Sequence, residues 1–311
     1  MNRARVVFFG SPDFAVPTLR ALIAAENVVA VVTQPDKPAG RGQRLAPPAA
    51  KTVAMEAGVP VLQPRSVRGE SFAATLAGLA PDVAIVVAFG RILPQAVLDV
   101  PVHGCLNVHA SLLPRYRGAA PIQWAIADGE TETGITIMKL DAGMDTGPVL
   151  LARRAAINED DTAGTLSERL ARMGAELMLI AWERLRAGTL VETPQDDSLA
   201  TSAPMLTKAH GLVDWSRPAV VVRNLVRSVD PWPGAFTSVD DETLKIWGPR
   251  VVPGQGKPGE VLGVDSDGLV VACGTGAVMI RELQLPGRKR LPAKALIAGR
   301  SILPGTLLGA Q

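Results

Sequence analysis

The sequence predicts an α/β protein in two parts, a parallel sheet covered by helices and then a small antiparallel β-domain. Between residues 5 and 188, short apolar runs alternate with stretches of helical periodicity, which favours a parallel sheet. Over residues 189–208 this periodicity is lost among prolines and small polar residues. Beyond them, short apolar runs recur between Gly, Pro and Asp, as is typical of an antiparallel barrel or sandwich.

The first part opens with the run RVVFFG (5–10), which predicts a buried strand because it is apolar and bounded by Gly and Pro. VPTLRALIAA (16–25) has apolar residues at helical spacing, and Pro17 fits a first helical turn. Further strands are predicted at 28–33, 82–90, 104–110, 134–140 and 148–157. Helices are predicted before residue 82, over 119–129 and over 161–188, with Gly174 as a candidate break in the last.

The second part contains one predicted helix, AVVVRNLVRSV (219–229), and four short strands, LKIWG, GEVLGV, LVVACG and AVMIREL. We therefore predict a first domain over 1–189, a linker over 190–208 and a second domain over 209–311.

Composition indicates a globular protein, because 47% of the 311 residues are hydrophobic and 20% are charged. Cys105 and Cys273 fit neither a disulfide framework nor a metal site. The chain has a basic start, but the apolar run that follows stops at Gly10 and is too short for the core of a signal peptide. No apolar run approaches the roughly 20 residues that span a bilayer. We therefore expect a cytoplasmic protein with no membrane association, no obligate protein partner and a monomeric state.

Two segments are basic although the net charge is only +2. The segment 35–51 sets four basic residues against Asp36, and the segment 281–300 sets six against Glu282. The basic residues are Lys37, Arg41, Arg44, Lys51, Arg281, Arg288, Lys289, Arg290, Lys294 and Arg300. Such patches predict a polyanionic partner; the alternative is a solvated loop face.

The stretch NVHASLLPRYRG (107–118) carries the strongest chemical signal. Residues two apart on a strand share a face, so Asn107 and His109 point the same way. An amide donates hydrogen bonds without titrating, whereas an imidazole can also move a proton. Together they suit acyl transfer, in which negative charge develops on a carbonyl oxygen. The alternative is a buried pair that only satisfies backbone groups.

The loop DAGMDTGP (141–148) supplies two carboxylates, Asp141 and Asp145, after a strand that should neighbour 104–110. A carboxylate beside His109 would fix its tautomer, although Asp-Gly loops are also common plain turns. Ser111 is the only nearby nucleophile candidate and has no obvious base, so direct transfer to a substrate nucleophile is favoured. The histidines fit no metal motif, and GSPDFA (10–15) lacks the glycines of a dinucleotide site.

These two stretches together resemble the active-site pattern of enzymes that transfer a formyl group from 10-formyltetrahydrofolate. The match comprises Asn-x-His-x-Ser-Leu-Leu-Pro, then Gly-Ala-x-Pro, then Asp-x-Gly-x-Asp-x-Gly. The resemblance implies a catalytic trio of Asn107, His109 and Asp145. It also implies that the segments 88–93 and 111–114 bind the folate, the second through Ser111, Leu112, Leu113 and Pro114. No metal is implied.

Three further stretches, FFGSPDFAVPTLRAL, TQPDKPAGRGQRLAPPAAK and DWSRPAVVVRNLVRSVDPWPGA, resemble the methionyl-tRNA formyltransferase family. The resemblance to this family runs essentially from end to end of the chain. This resemblance implies a Rossmann-like catalytic domain, an OB-fold-like C-terminal β-barrel, and initiator methionyl-tRNA as the formyl acceptor. It matches Arg41 to the family's key tRNA-binding arginine. The remaining expected tRNA contacts are Lys37, Arg44, Arg288, Lys289 and Arg290.

Other functions remain open on the sequence alone. A formyltransferase acting on a small amine, or a hydrolase of formyltetrahydrofolate, would not need the two basic segments. A non-catalytic RNA-binding module would bind tRNA without transferring a formyl group. A nicotinamide oxidoreductase is suggested by fold alone, which is weak support without the glycine fingerprint.

Overall fold

The computed structural model describes residues 3–39, 44–240, 242–264, 267–297 and 302–309. The chain packs into two compact units. The first unit comprises Met1–Pro121, Thr133–Ala156 and Ser167–Pro204, and the second comprises Ile122–Glu132, Ile157–Leu166 and Met205–Gln311. The segments Ile122–Glu132 and Ile157–Leu166, which precede the predicted linker in the sequence, thus belong to the second unit. The domain boundaries predicted from the sequence stay a prediction.

A seven-stranded sheet forms the centre of the first unit, in the order β10-β9-β7-β6-β1-β2-β5. Its strands run parallel from β5 through β7, and β9 pairs with β7 in the antiparallel sense. The strands of this unit are β1 (Arg5–Gly10), β2 (Asn27–Val32), β3 (Lys37–Ala39), β4 (Arg44–Ala46), β5 (Val61–Leu62), β6 (Val83–Val87), β7 (Cys105–His109), β8 (Arg117–Gly118), β9 (Glu132–Lys139), β10 (Val149–Ala156) and β11 (Ser202–Ala203). The Rossmann-like prediction is confirmed, with an antiparallel extension at one edge.

Two short ladders accompany this sheet. β3 and β4 pair as an antiparallel hairpin, and β8 pairs in parallel with β11. The helices of the whole chain are α1 (Val16–Ala25), α2 (Ala49–Glu56), α3 (Glu70–Gly78), α4 (Gln95–Leu98), α5 (Pro121–Ala127), α6 (Ala163–Arg186), α7 (Ala219–Ser228) and α8 (Ala293–Ile297). β1 and α1 have the bounds that the apolar pattern predicts.

Gly174 does not break α6, which is continuous over Ala163–Arg186. A Cβ at residue 174 would lie 2.7 Å from Val108 Cγ1, so glycine allows the helix to approach β7 closely. Val108 therefore faces α6, and its neighbours Asn107 and His109 face the other side of the sheet. The close approach of α6 thus fixes which face of β7 carries the candidate site.

The opposite face of the sheet packs an aromatic core. Phe9 of β1 meets Phe89 edge to face with 5.3 Å between the ring centroids, and meets Phe72 at 6.4 Å. All three side chains are buried. Edge-to-face pairs add roughly 0.5–1.5 kcal/mol beyond the area they bury. The core therefore anchors β1 and the segment that follows β6.

The second unit contains an antiparallel sheet in the order β12-β13-β16-β15-β14, with β17 paired to β16. Its strands are β12 (Ala235–Val239), β13 (Glu242–Val252), β14 (Val261–Val264), β15 (Leu269–Ala272), β16 (Ala277–Gln284) and β17 (Leu291–Pro292). The antiparallel prediction is confirmed. A five-strand path agrees with the partly open barrel of an OB-fold. The sequence reading missed β12, whose run AFTSV is short and half polar.

A buried arginine ties the segment 157–166 into the second unit. Arg227 of α7 donates from Nε to the Asp161 carbonyl oxygen at 2.8 Å and from Nη2 to the Asn158 carbonyl oxygen at 2.8 Å. Burial lowers the pKa of Arg227, and the nearby charge of Arg223 adds to that effect. A buried cation needs such partners, which explains how this segment joins α7.

Candidate active site

β7 brings Asn107 and His109 to one face of the sheet near its carboxyl end. Asn107 lies opposite Val86 of β6 and Met138 of β9, and His109 lies opposite Thr136. The two residues are 8% and 5% exposed. In α/β sheets, ligands bind in the crevice outside the carboxyl ends of the parallel strands. The pair therefore lies where a ligand is expected.

His109 is held between two oxygen acceptors. Its Nε2 lies 2.9 Å from the Tyr116 carbonyl oxygen, which can only accept, so Nε2 carries a hydrogen. Its Nδ1 lies 3.6 Å from Asp145 Oδ2. The same carboxylate oxygen accepts from the Gly118 amide at 2.8 Å. Each ring nitrogen therefore faces an oxygen acceptor, which fixes the orientation of the imidazole.

Asn107 differs from its neighbours because its side chain has no hydrogen-bond partner among the described residues. Ser111, in contrast, donates from Oγ to the Arg115 carbonyl oxygen at 2.6 Å and is fully buried. An amide with free donors beside an imidazole can stabilise negative charge on a carbonyl oxygen. The alternative, an asparagine that only satisfies backbone groups, finds no support in these contacts.

The two carboxylates of the loop have different partners. Asp141 accepts from the Gly143 amide at 3.0 Å and from Thr146 Oγ1 at 2.7 Å, so it stabilises the turn. Asp145 is the carboxylate that reaches His109. It has a positive φ of 56°, as Tyr116 does at 61°. Non-glycine residues in this region are uncommon and cluster at functional sites.

Sequence reasoning missed the residues that hold this loop from behind. Gln195 donates from Nε2 to the carbonyl oxygens of Asp145 and Gly147, at 2.8 and 2.7 Å. Arg117 donates from Nε and Nη2 to Gln195 Oε1, at 3.1 and 2.8 Å. Gln195 lies in the segment predicted as a linker, and only the loss of periodicity marked it. No local signal could have found a contact across 50 residues of sequence.

The two segments expected to bind folate follow neighbouring parallel strands. Residues 88–93 follow β6, and residues 111–114 follow β7. Thr136 Oγ1 donates to the Ser111 carbonyl oxygen at 2.7 Å and accepts from the Leu113 amide at 3.2 Å. Leu112, Leu113 and Pro114 are half-buried. Half-buried apolar side chains beside the polar groups of Asn107 and His109 are the kind of surroundings that suit a flat heterocyclic ligand.

The first basic segment lies on and around the β3–β4 hairpin. Lys37 is exposed on β3, Arg44 lies in β4, and Arg41 lies outside the described residues. Lys51 is neutralised, because its Nζ lies 2.8–2.9 Å from both carboxylate oxygens of Asp36. Hydrogen bonds from Lys51 and then Gln63 lower the pKa of Asp36. Lys51 therefore adds little free positive charge to this segment.

The second basic segment surrounds the turn between β16 and β17, where Arg288, Lys289 and Arg290 are exposed. Arg290 pairs with Glu282, with Nε 3.0 Å from Oε2, and stacks on the Trp247 ring at 4.6 Å from its centroid. Arg288 and Lys289 have no ion-pair partner among the described residues. They are therefore the more available cations for a polyanion.

Across the described ranges, no group of three or more His, Cys, Asp or Glu side chains could hold a metal ion. Within those same ranges, none of the helices has the length and apolar character needed to cross a bilayer.

Comparison with known proteins identifies the family of this chain. A family model described as "Formyl transferase" matches residues 4–181, and one described as "Formyl transferase, C-terminal domain" matches residues 205–301. A methionyl-tRNA formyltransferase of Geobacter sulfurreducens is 54% identical over 99% of this chain and 98% of its own length. One from Citrifermentans bemidjiense is 53% identical with the same coverage.

A solved structure gives the same fold at low identity. HypX from Aquifex aeolicus, crystallised with tetrahydrofolic acid, has a TM-score of 0.65 and 20% identity, covering 95% of this chain and 47% of its own. At that identity the likeness concerns the fold alone. The family models and the two relatives carry the assignment, and this chain belongs to the formyl transferase family, among the methionyl-tRNA formyltransferases.

Proposed function

We propose that this protein transfers the formyl group of 10-formyltetrahydrofolate to the α-amino group of methionine on initiator methionyl-tRNA. The observation that carries the proposal is the free Asn107 amide, on the same strand face as a histidine that is held at 3.6 Å from Asp145. Relatives about half identical over nearly the whole chain bear the same activity in their names.

In the reaction, the amine nitrogen attacks the formyl carbon and the carbonyl electron pair moves to oxygen. Asn107 donates to the resulting oxyanion, and His109 places a ring that can carry a proton beside it. The amine proton leaves through water toward the His109–Asp145 pair. The bond from the formyl carbon to N10 of tetrahydrofolate then breaks, and that nitrogen takes its electron pair and a proton.

The folate donor is expected between the segments 88–93 and 111–114. The half-buried Leu112, Leu113 and Pro114 offer apolar surface for its ring. The Ser111 hydroxyl is engaged with the Arg115 carbonyl oxygen, so its support for the folate is through the backbone turn. Because hydrogen bonds hold residues 111–114 in place, this part of the folate site is formed before the ligand binds.

We assign the tRNA contacts to the two basic segments, with Arg41 as the principal contact and Lys37, Arg44, Arg288, Lys289 and Arg290 as further contacts. In the sequence, Arg41 falls between β3 and β4, with Gly40 and Gly42 as its neighbours. A guanidinium there can contact a phosphate or base edge with two parallel hydrogen bonds, which lysine cannot imitate. This charge at the active-site unit distinguishes a tRNA substrate from a small amine.

The direct test incubates the protein with methionyl-tRNA and 10-formyltetrahydrofolate and measures formylmethionine on the tRNA. Parallel reactions replace the tRNA by a small amine, or omit the acceptor to detect hydrolysis. Formylation of the tRNA alone supports the proposal. Turnover only with the small amine, or only with water, overturns it. The Arg41→Ala and Arg41→Lys variants should lose turnover on tRNA, lysine less so, while folate affinity stays unchanged.

We further propose that the protein acts as a monomer in the cytoplasm. Both cysteines are free thiols and both are buried, which agrees with a reducing compartment. A sedimentation measurement that yields the mass of a dimer would contradict the monomer.

A further inference from the structure

The side chain of Gln195 joins the catalytic loop to the segment that the sequence marked as a linker. Both hydrogens of its amide nitrogen are used, one toward the Asp145 carbonyl oxygen and one toward that of Gly147. Its Oε1 accepts twice from Arg117. Every polar atom of this side chain is therefore committed, and all of its contacts lead to the surroundings of His109.

Arg117 lies between two residues whose backbones bind the candidate catalytic pair, His109 and Asp145. The residue before it, Tyr116, provides the carbonyl oxygen that binds His109 Nε2. The residue after it, Gly118, provides the amide that binds the Asp145 carboxylate. The Arg117 side chain, about one-seventh exposed, is also paired with Asp197 at 2.7 Å. Residues 116–118 thus contact both His109 and Asp145, while the Arg117 side chain binds Gln195, which in turn holds the loop.

We propose that Gln195 and Arg117 form a positioning pair that sets the placement of Asp145 against His109. The inference rests on the proposed function. Asp145 has a left-handed backbone with φ of 56°, a conformation that persists only when its surroundings fix it. The two hydrogen bonds from Gln195 hold the carbonyl oxygens of Asp145 itself and of Gly147, two residues further along the loop. Without these two hydrogen bonds, fewer contacts hold the backbone of Asp145 in its left-handed conformation, and its carboxylate can move away from His109.

The amide of glutamine is the side chain that this position requires. It offers two donors toward the loop carbonyls and one acceptor toward Arg117. Glutamate has nearly the same shape but would turn an acceptor toward the two carbonyl oxygens while keeping its contact to Arg117. The Gln195→Glu variant therefore reverses the polarity of one contact and preserves the other.

The docking of the segment does not depend on this side chain. Thr193 exchanges two backbone hydrogen bonds with Val149, at 2.8 and 2.9 Å, and β11 pairs with β8. Glu192 adds an ion pair to Lys139 at 2.9 Å. The Glu192→Gln variant is thus a matched control, since it removes a tether of the same segment that does not reach Asp145.

The experiment measures kcat and KM for 10-formyltetrahydrofolate and methionyl-tRNA in the wild-type protein, Gln195→Glu, Gln195→Met and Glu192→Gln. Each variant is assayed where circular dichroism shows it to be folded. We expect kcat to fall on the order of 10- to 100-fold in both Gln195 variants, because small misplacements of catalytic groups cost about that much. Both KM values should stay within about twofold. Glu192→Gln should keep the wild-type kcat.

A double-mutant cycle tests whether the two residues act as one device. If they do, Arg117→Met combined with Gln195→Met lowers kcat no further than the worse single variant. If the kcat loss of the double variant instead equals the product of the two single losses, the two residues act independently and the pairing is overturned. An unchanged kcat in either folded Gln195 variant, or a raised KM with unchanged kcat, overturns the positioning role. A wild-type protein without turnover on methionyl-tRNA instead contradicts the proposed function.

Discussion

At the scale of single residues, the loop between β9 and β10 carries two aspartates with different tasks. Asp145 lies at 3.6 Å from His109 Nδ1, whereas Asp141 binds the Gly143 amide and Thr146. We expect Asp145→Asn to lower kcat roughly 100- to 10,000-fold, because it removes the charge that assists proton transfer. Asp141→Asn removes an equal charge from the same loop and should change kcat by less than about threefold, because that side chain only stabilises the turn. Steady-state kinetics on methionyl-tRNA decides between them, and equal effects would contradict the assignment.

A buried thiol gives the fold a dependence on alkaline pH. Burial, and secondarily the charge of Asp99, raises the pKa of Cys105 to about 12. An unfolded cysteine titrates near ~8.5, so above that pH the unfolded state loses a proton that the folded state retains. The contribution of the protonated Cys105 to the free energy of unfolding is therefore fully present below about pH 8.5 and is lost as pH rises toward 12.

We therefore expect the melting temperature to fall more steeply between about pH 8.5 and about pH 10.5 in the wild-type protein than in Cys105→Ala. The alanine variant is less stable at every pH because it leaves a cavity, so the slopes are compared rather than the absolute values. Thermal melts followed by circular dichroism provide them. Parallel curves over this range would show that Cys105 does not contribute.

At the scale of elements, Gly174 lowers the helix propensity of α6 but allows α6 to pack closely against β7. Alanine is favoured over glycine by about 1 kcal/mol inside a helix. At residue 174, however, the added Cβ would lie 2.7 Å from Val108 Cγ1 and force α6 away from β7. We expect Gly174→Ala to reduce the free energy of unfolding by roughly 1–3 kcal/mol. Gly78→Ala is the control, because nothing lies within 4 Å of its Cβ, and it should not destabilise the protein. Urea titration measures both, and a stabilised Gly174→Ala would contradict this packing argument.

The elements that could be predicted well from the sequence are those whose signal is local. Apolar runs bounded by glycine or proline indicated β1, and helical spacing indicated α1 and α7 nearly to the residue. The motif around Asn107 and His109 indicated a site because two residues on one strand share a face. The hairpin of β3 and β4 has no alternating pattern, and the antiparallel sense of β9 depends on the partner rather than on its own residues. The contacts of Gln195 arise only on folding.

At the scale of the whole molecule, a net charge of +2 conceals an uneven distribution. Ion pairs decide which cations remain for a partner. Lys51 is paired with Asp36 and Arg290 with Glu282, while Arg288 and Lys289 are exposed without an ion-pair partner among the described residues. A count of basic residues therefore overestimates the charge that a polyanion meets. The relevant quantity is the number of cations that displace counterions from phosphates on binding.

This distinction predicts different salt dependences for charge removals from a single turn. Arg288→Gln with Lys289→Gln should make the plot of log affinity for tRNA against log salt concentration shallower by about two, roughly one unit for each phosphate that is no longer neutralised. Arg290→Gln should change the slope by much less than about one unit, because its guanidinium is paired with Glu282 and stacked on Trp247. If net charge alone governed binding, Arg290→Gln would instead produce half the effect of the double variant. Filter binding over a range of salt concentrations separates the two results. A slope that responds equally to every cation would mean that the pairing seen at Arg290 does not limit its binding to RNA.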